Sequence, residues 1–177
     1  MMNVYCAPRC GKNGSEAVYA LLGYAFRLEY GECLPDIKKT SNGKPYFPDR
    51  PDVFFSLSHA KTHVACALSD FPVGVDIESP REISKRAIRF FCSDEELVLF
   101  DPLDLWVLKE SYIKLIGGTL PSVKTLRFSR QNVRILPPDE SVNSGLYHVD
   151  GCVAAVSSLG GKLSDSIELV ISSLDCI

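Results

Sequence analysis

Two seven-residue runs constrain this chain more than any other feature. "HVACALS" (63–69) and "CVAAVSS" (152–158) carry Val, Ala and Ser in matching places, and they start 89 residues apart in a chain of 177. A separation close to half the length points to an internal duplication. The alternative is chance, because short strands of small residues resemble one another. A duplication predicts two similar α+β halves with a cleft between them, and such clefts are common ligand sites. The length allows one substantial domain or two small halves sharing a core. The division is expected at residue 80, with 1–80 as an N-terminal half and 81–177 as a C-terminal half of one compact unit.

Each run follows helical and extended segments. Residues 14–30 read as a helix, with Ala17, Ala20, Leu21, Tyr24 and Leu28 at helical spacing and Gly31 as its stop. "SNGKPYFPDRP" is turn-rich and reads as a loop. Strand-like runs at 53–58, 63–69 and 73–78 have short connections and predict a hairpin or meander with an antiparallel component. Residues 83–91 are a further helix candidate. "SDEE" (93–96) is a capping box, and Pro102 suits the first turn of a helix running to Ile116 and closed by Gly117-Gly118. Strand-like runs follow near 125–135, 146–149, 152–158 and 167–173.

Composition excludes several classes. The net charge is −3 and no block of five basic residues occurs, which argues against general nucleic-acid binding. No apolar run approaches the ~18 residues that span a bilayer. The N-terminal "MMNVYCAPRCGK" lacks a leader's apolar core and cleavage site. Seven cysteines, an odd count scattered through apolar segments, suggest reduced thiols and a cytoplasmic protein. Cys6 and Cys10 form a CxxxC without further ligands at metal-binding spacing.

"PVGVDIESP" (72–80) carries the first anomaly. In a strand, residues two apart share a face ~6–7 Å apart. Val75 and Ile77 would face the core, and Asp76 and Glu78 the opposite way. One reading is a solvent-facing strand side. The other is a site for a hard divalent cation such as Mg²⁺, which takes carboxylate oxygens and would resolve the like-charge repulsion. The second anomaly is Glu110 in "DPLDLWVLKESYIKLIGG". It interrupts a stripe of Leu103, Trp106, Val107, Ile113 and Lys114 on a helix whose other side, Leu105, Leu108, Tyr112 and Leu115, is also apolar. A carboxylate there is either an i,i+4 partner of Lys114 or a ligand group. In "FSLSHAK", Ser58, His59 and Lys61 supply donors suited to a phosphate, although a lone histidine at a strand end is more often structural. Lys44, in "NGKP", sits in a turn.

These pieces, in this order, resemble the 4′-phosphopantetheinyl transferases, specifically the single-chain surfactin-synthetase-activating (Sfp-type) class. The matching residues are "GKP" (43–45), "FSLSHA" (55–60), "GVDIE" (74–78), "FFCSDEE" (90–96) and "WVLKESYIK" (106–114). The resemblance implies an α+β fold of two pseudo-symmetric halves, which would make the echo at 89 residues a true duplication. It also implies Mg²⁺-dependent transfer of the 4′-phosphopantetheine arm of coenzyme A to a serine of an apo acyl or peptidyl carrier protein. The co-product would be adenosine 3′,5′-bisphosphate.

By resemblance, Asp76, Glu78 and Glu110 bind the Mg²⁺, and Glu110 is also the candidate base for the serine hydroxyl. Lys114 contacts the phosphates and steadies the leaving group. Ser58 and His59 contact the nucleotide of coenzyme A, His59 near the 3′-phosphate, and Lys44 lies near the adenine. Lys109 points away from the Glu110 stripe and is expected to be structural. Larger members carry an N-terminal helical segment with basic residues for the 3′-phosphate. Here Arg9 and Lys12 are the cations before the first helix, and one of them is expected to take part of that role. A monomer is expected, with the cleft built from its own halves. The alternative is a non-catalytic coenzyme A or carrier-protein binding module, disfavoured because the three acidic positions and Lys114 are all intact.

Overall fold

The computed structural model describes residues 2–11, 13–132, 134–163 and 166–169. The first part contains β1 (Met2–Pro8), α1 (Gly14–Tyr30), the short pair β2 (Lys38–Lys39) and β3 (Pro45–Tyr46), β4 (Phe54–His59) and β5 (His63–Ser69). The rest contains β6 (Val73–Glu78), α2 (Lys85–Phe91), α3 (Asp94–Leu99), α4 (Pro102–Ile116), a 3₁₀ turn (Leu120–Lys124), the hairpin β7 (Ser129–Gln131) and β8 (Arg134–Leu136), β9 (Val142–Val149), β10 (Cys152–Leu159) and β11 (Glu168–Leu169). The part of the strand-like run at 167–173 beyond residue 169 lies outside the described residues.

The two main sheets repeat one topology. One runs β1-β5-β4, with β11 added parallel to β1, and the other runs β6-β10-β9. In each, strand, helix, strand, strand follow in the chain, and the last strand sits in the middle, antiparallel to both neighbours. β5 and β10, the two echoing runs, are therefore equivalent central strands. Both are buried on both faces, so each reads as a nearly continuous apolar run.

The layers stack helix, sheet, sheet, helix. Leu21, Leu22, Ala25 and Phe26 of α1 cover Tyr5, Val64, Cys66 and Leu68 on the outer face of the first sheet. Leu108, Tyr112 and Leu115 of α4 cover Val153 and Ala155 on the second. Between the sheets Val4, Cys6, Ala65 and Ala67 meet Val75, Ile77, Ala154 and Val156. The small residues of the echo thus face the seam where two sheets approach closely. The three expected strands do not form a meander. β4 and β5 make a hairpin, and the chain then changes sheets in residues 70–72, ahead of the division at 80 that the sequence suggested.

Local signals place the helices. Asn13 caps α1, and Gly31, at φ 69°, ends it in the left-handed conformation. Ser93 and Glu96 form the expected capping box at α3. Glu96 does more than cap: Oε1 accepts from Phe128 N at 2.9 Å and Oε2 from the fully buried Lys109 Nζ at 2.9 Å. Lys109 also donates to the Phe91 carbonyl, so its role is structural, as its helical angle implied. Asp101 caps α4 with Pro102 in the first turn.

Gly74 sets the distance between β6 and α4. A Cβ there would lie 2.0 Å from the Ser111 carbonyl oxygen and 2.5 Å from Leu115 N, both backbone atoms. Gly74→Ala should cost about 3 kcal/mol, read as a lowered urea midpoint. Gly23→Ala, on α1 with open space around its Cβ, should instead stabilise by about 0.5–1 kcal/mol. Equal effects at the two positions would contradict this packing.

Candidate active site

β6 alternates faces as the sequence predicts, but its second face is buried under α4. Val75 and Ile77 enter the seam, while Gly74, Asp76 and Glu78 face the helix. Asp76 is 7% exposed. Lys114 Nζ, in the last turn of α4, donates to Asp76 Oδ1 at 2.8 Å. Ser58 Oγ donates to the same oxygen at 2.7 Å and accepts from Ile77 N at 3.3 Å. Ser56 Oγ likewise accepts from Val75 N at 3.0 Å.

Glu78 is held by Arg81, whose guanidinium donates to Oε1 at 2.9 Å and to Oε2 at 3.3 Å. Glu110 has no such partner. Its Oε1 is buried without a hydrogen bond. Burial pushes the Glu110 carboxyl above the usual carboxylate range. Asp76 and Glu78 push it further, and Lys114 acts the other way. The three carboxylates therefore sense one another across the β6–α4 contact. In this arrangement they do not close on a shared point, since among the described residues no three acidic, His or Cys side chains are gathered as metal ligands. Donor chemistry still fits a hard cation: carboxylate oxygens, one of them buried and unsatisfied.

Beside this contact lies a cleft of about 310 Å³. Its walls come from Ser15 and Tyr19 of α1, the residue 39–45 turn, Ser56 of β4 and the C-terminal end of α4. Lys39, Lys44 and Lys114 line it and no acidic residue does, which suits an anion. The turn is docked on α4. Asn42 Nδ2 donates to the Gly117 carbonyl at 3.2 Å and Lys44 Nζ to the Leu115 carbonyl at 2.7 Å, placing an ammonium at the helix's negative end. Gly43, at φ 82°, makes the turn tight enough for this. Burial lowers the Lys44 ammonium from its ordinary 10.5 to about 8. A larger, shallower groove over β7, β8 and β9 contains none of the candidate residues.

The structure therefore brings Asp76, Glu78, Glu110, Lys114 and Ser58 together, with Lys44 on the adjoining cleft. Ser58, expected at a nucleotide, is turned inward to Asp76 and buried. His59 is exposed at the end of β4, not among the cleft-lining residues, and its ring lies over Gly14, where a Cβ would come within 2.7 Å of His59 Cγ. Arg9 donates to the Ala60 and Lys61 carbonyls and so braces the turn after His59. Lys12 lies outside the described residues. Sequence reasoning missed Ser56, Lys39, Tyr19 and Arg81. Only Ser56 had a signal, its two-residue spacing from Ser58 in a strand.

Comparison with known proteins agrees with this geometry. Residues 72–151 match the model of the 4′-phosphopantetheinyl transferase superfamily. The 4′-phosphopantetheinyl transferase gsp of Aneurinibacillus migulanus is 40% identical over 90 residues, covering 45% of this chain and 37% of the relative. The 4′-phosphopantetheinyl transferase Sfp of Bacillus subtilis (strain 168) is 41% identical over 88 residues, covering 44% and 39%. Psf-1 of Bacillus pumilus is 41% identical over 86 residues, covering 43% and 37%. The chain spans about two fifths of the length of the curated relatives it matches. The matched stretch holds β6, α4 and all three carboxylates, and over it the chain is similar to the 4′-phosphopantetheinyl transferase superfamily and to Sfp-type relatives.

Proposed function

We propose that this protein transfers the 4′-phosphopantetheine arm of coenzyme A to a serine hydroxyl of an apo acyl or peptidyl carrier protein and releases adenosine 3′,5′-bisphosphate. The observation that carries the reading is the buried, unsatisfied Glu110 Oε1 facing Asp76 and Glu78 beside a lysine-lined cleft. Asp76, Glu78 and Glu110 would hold a divalent cation such as Mg²⁺, which when bound supplies positive charge against the coenzyme A pyrophosphate.

The residues of the chain divide the remaining work. Glu110, made more basic by burial and by Asp76, takes the proton of the carrier serine. The serine oxygen then attacks the phosphorus that bears the pantetheine arm, and the bond to the 5′-phosphate of the nucleotide breaks. Lys114 balances the charge that develops on that departing phosphate. Ser58 orients Asp76 and fixes the β6 backbone beneath it. Lys39 and Lys44 receive the nucleotide end, and His59 the 3′-phosphate. The enzyme works as a monomer in the cytoplasm, the cleft being formed by its own halves. Six free cysteines among the described residues suit a reducing compartment. Among the described residues no helix is long and apolar enough to cross a membrane.

Incubation with coenzyme A, Mg²⁺ and apo carrier should add the mass of one phosphopantetheine to the carrier, and chelation should stop the reaction until Mg²⁺ is restored. No mass shift across fatty-acid, polyketide and peptide carriers overturns the reading, and coenzyme A binding without transfer would identify a non-catalytic module. Asp76→Ala and Glu110→Ala should each reduce transfer at least a hundredfold, on the order of an acid–base contribution, with an unchanged circular dichroism spectrum. Full activity in either would misplace the site.

Lys44 supplies a pH test. Its folded pKa, about 8, lies below its ordinary 10.5, so across that window the unfolded chain binds the extra proton. Wild-type stability relative to Lys44→Met should therefore rise from pH 8 to 10.5 and then level, because deprotonation removes the cost of a buried charge. Saturating coenzyme A should flatten the rise. A flat difference without ligand would show that Lys44 is not buried as a charge.

A further inference from the structure

Away from the cleft, one polar cluster interrupts the apolar seam. His63 opens β5 and Cys152 opens β10, so the first residues of the two echoing runs meet. Cys152 Sγ lies 3.3 Å from His63 Nδ1, and His63 Nε2 lies 2.9 Å from Asp150 Oδ2. A carboxylate accepts, so Nε2 carries the ring proton and Nδ1 turns a lone pair towards the thiol. Thr62 Oγ1 is 2.9 Å from Nδ1 and 3.6 Å from Sγ. Ser79 Oγ is 2.8 Å from Thr62 Oγ1 and 4.0 Å from Sγ.

The other described cysteines lack this setting. Cys66 is packed among the apolar side chains beneath α1, where burial pushes its thiol up. Cys6 is pushed up to about 12 by burial, with Cys152 and Asp150 adding to it. Cys10 and Cys33 are exposed, and Cys92 is half-buried, where burial pushes its thiol up to about 11. A buried thiol without a base is inert, whereas a thiol with an oriented base can become a nucleophile.

We propose that Cys152 is a peroxide-reactive thiol, with His63 as its base and Asp150 as the group that orients His63. The thiol proton passes from Sγ to His63 Nδ1. Sulfur attacks one oxygen of hydrogen peroxide, an S–O bond forms and the O–O bond breaks. The departing hydroxide takes the proton from Nδ1 and leaves as water. Sulfur loses two electrons and becomes a sulfenic acid, while the peroxide is reduced. The Thr62 and Ser79 hydroxyls are placed to hydrogen-bond the new oxygen. Because Cys152 is only 1% exposed, the reagent must be small. Asp150 is exposed in the tight turn between β9 and β10, where it and Gly151 have φ of 45° and 74°, so the cluster adjoins solvent on that side.

The test uses the full chain without coenzyme A or carrier, so it stands apart from the transferase reading. Native protein is treated with hydrogen peroxide, quenched with catalase, and unfolded in denaturant containing dimedone, and the adduct is located by peptide mass mapping. The adduct is expected on Cys152. His63→Gln should slow its formation roughly a hundredfold, the usual scale of a general base. Asp150→Asn should slow it about tenfold or more, since the amide carries no charge and can donate to Nε2, which moves the ring proton to Nδ1 and removes the base. Asp150 is exposed, so this variant carries the test if His63→Gln fails to fold. Adducts on Cys10 or Cys33 with Cys152 unmodified overturn the proposal, as does an unchanged Cys152 rate in Asp150→Asn.

Discussion

The unpaired edge of β6 is the constraint on which the rest of the structure depends. β6 ends the second sheet, and its outward amides at Val75 and Ile77 have no strand to meet. Buried amides left open cost about 1–3 kcal/mol each. The hydroxyls of Ser56 and Ser58 on β4 take them instead. This joins the edges of two sheets through side chains rather than a backbone ladder, and the cleft lies beside the joint. Gly74 closes the same strand against α4. A strand pinned on both sides holds Asp76 in position while that side chain sits almost fully buried.

That position is electrostatically one-sided. Asp76 has Lys114 and Ser58, and Glu78 has Arg81, but Glu110 Oε1 has no partner. Two like charges also push the Glu110 carboxyl up. A fold built for stability alone would place an apolar residue at Glu110, as at Val107 and Ile113 one turn away on either side. The excess negative charge beside a lysine-lined cleft is the local rule that this structure breaks, and such breaks are expected where a ligand completes the balance.

Much of this was legible in the sequence, because the governing signals are local. Helix 14–30 had its stop at Gly31, the Ser93–Glu96 box had its spacing, and the helical angle separated Lys109 from Glu110 although they are neighbours. Side-chain alternation in "GVDIE" put Asp76 and Glu78 on one face. Sheet partnership was not legible. Alternation says that 73–78 is a strand, but not that it leaves β4 and β5 for another sheet, since pairing depends on residues far along the chain. For the same reason Ser58 looked like a phosphate donor. Its actual partner, Asp76, lies across a corner that only the packed sheets create. Lys44 was a plain turn lysine until the turn docked on the end of α4.

The two sheets repeat one topology, yet their strand–helix contacts differ in charge. β1 and α1 stand where β6 and α4 stand in the other half, and there too a strand meets the last turn of a helix through a polar contact. In the first half that contact is complete. Asn3 Nδ2 donates to Glu29 Oε1 at 2.7 Å and the Tyr5 hydroxyl donates to the same oxygen. Burial and the neighbouring Glu29 push the Tyr5 hydroxyl's acidity far down, so it stays a donor. One carboxylate is thus met by neutral donors. In the second half the signs are inverted. The strand carries two carboxylates, the helix carries a third, and one ammonium serves the strand–helix contact. The same backbone repeat therefore holds a polar joint met by neutral donors on one side and an excess of carboxylates on the other, where opposite charge would restore the balance.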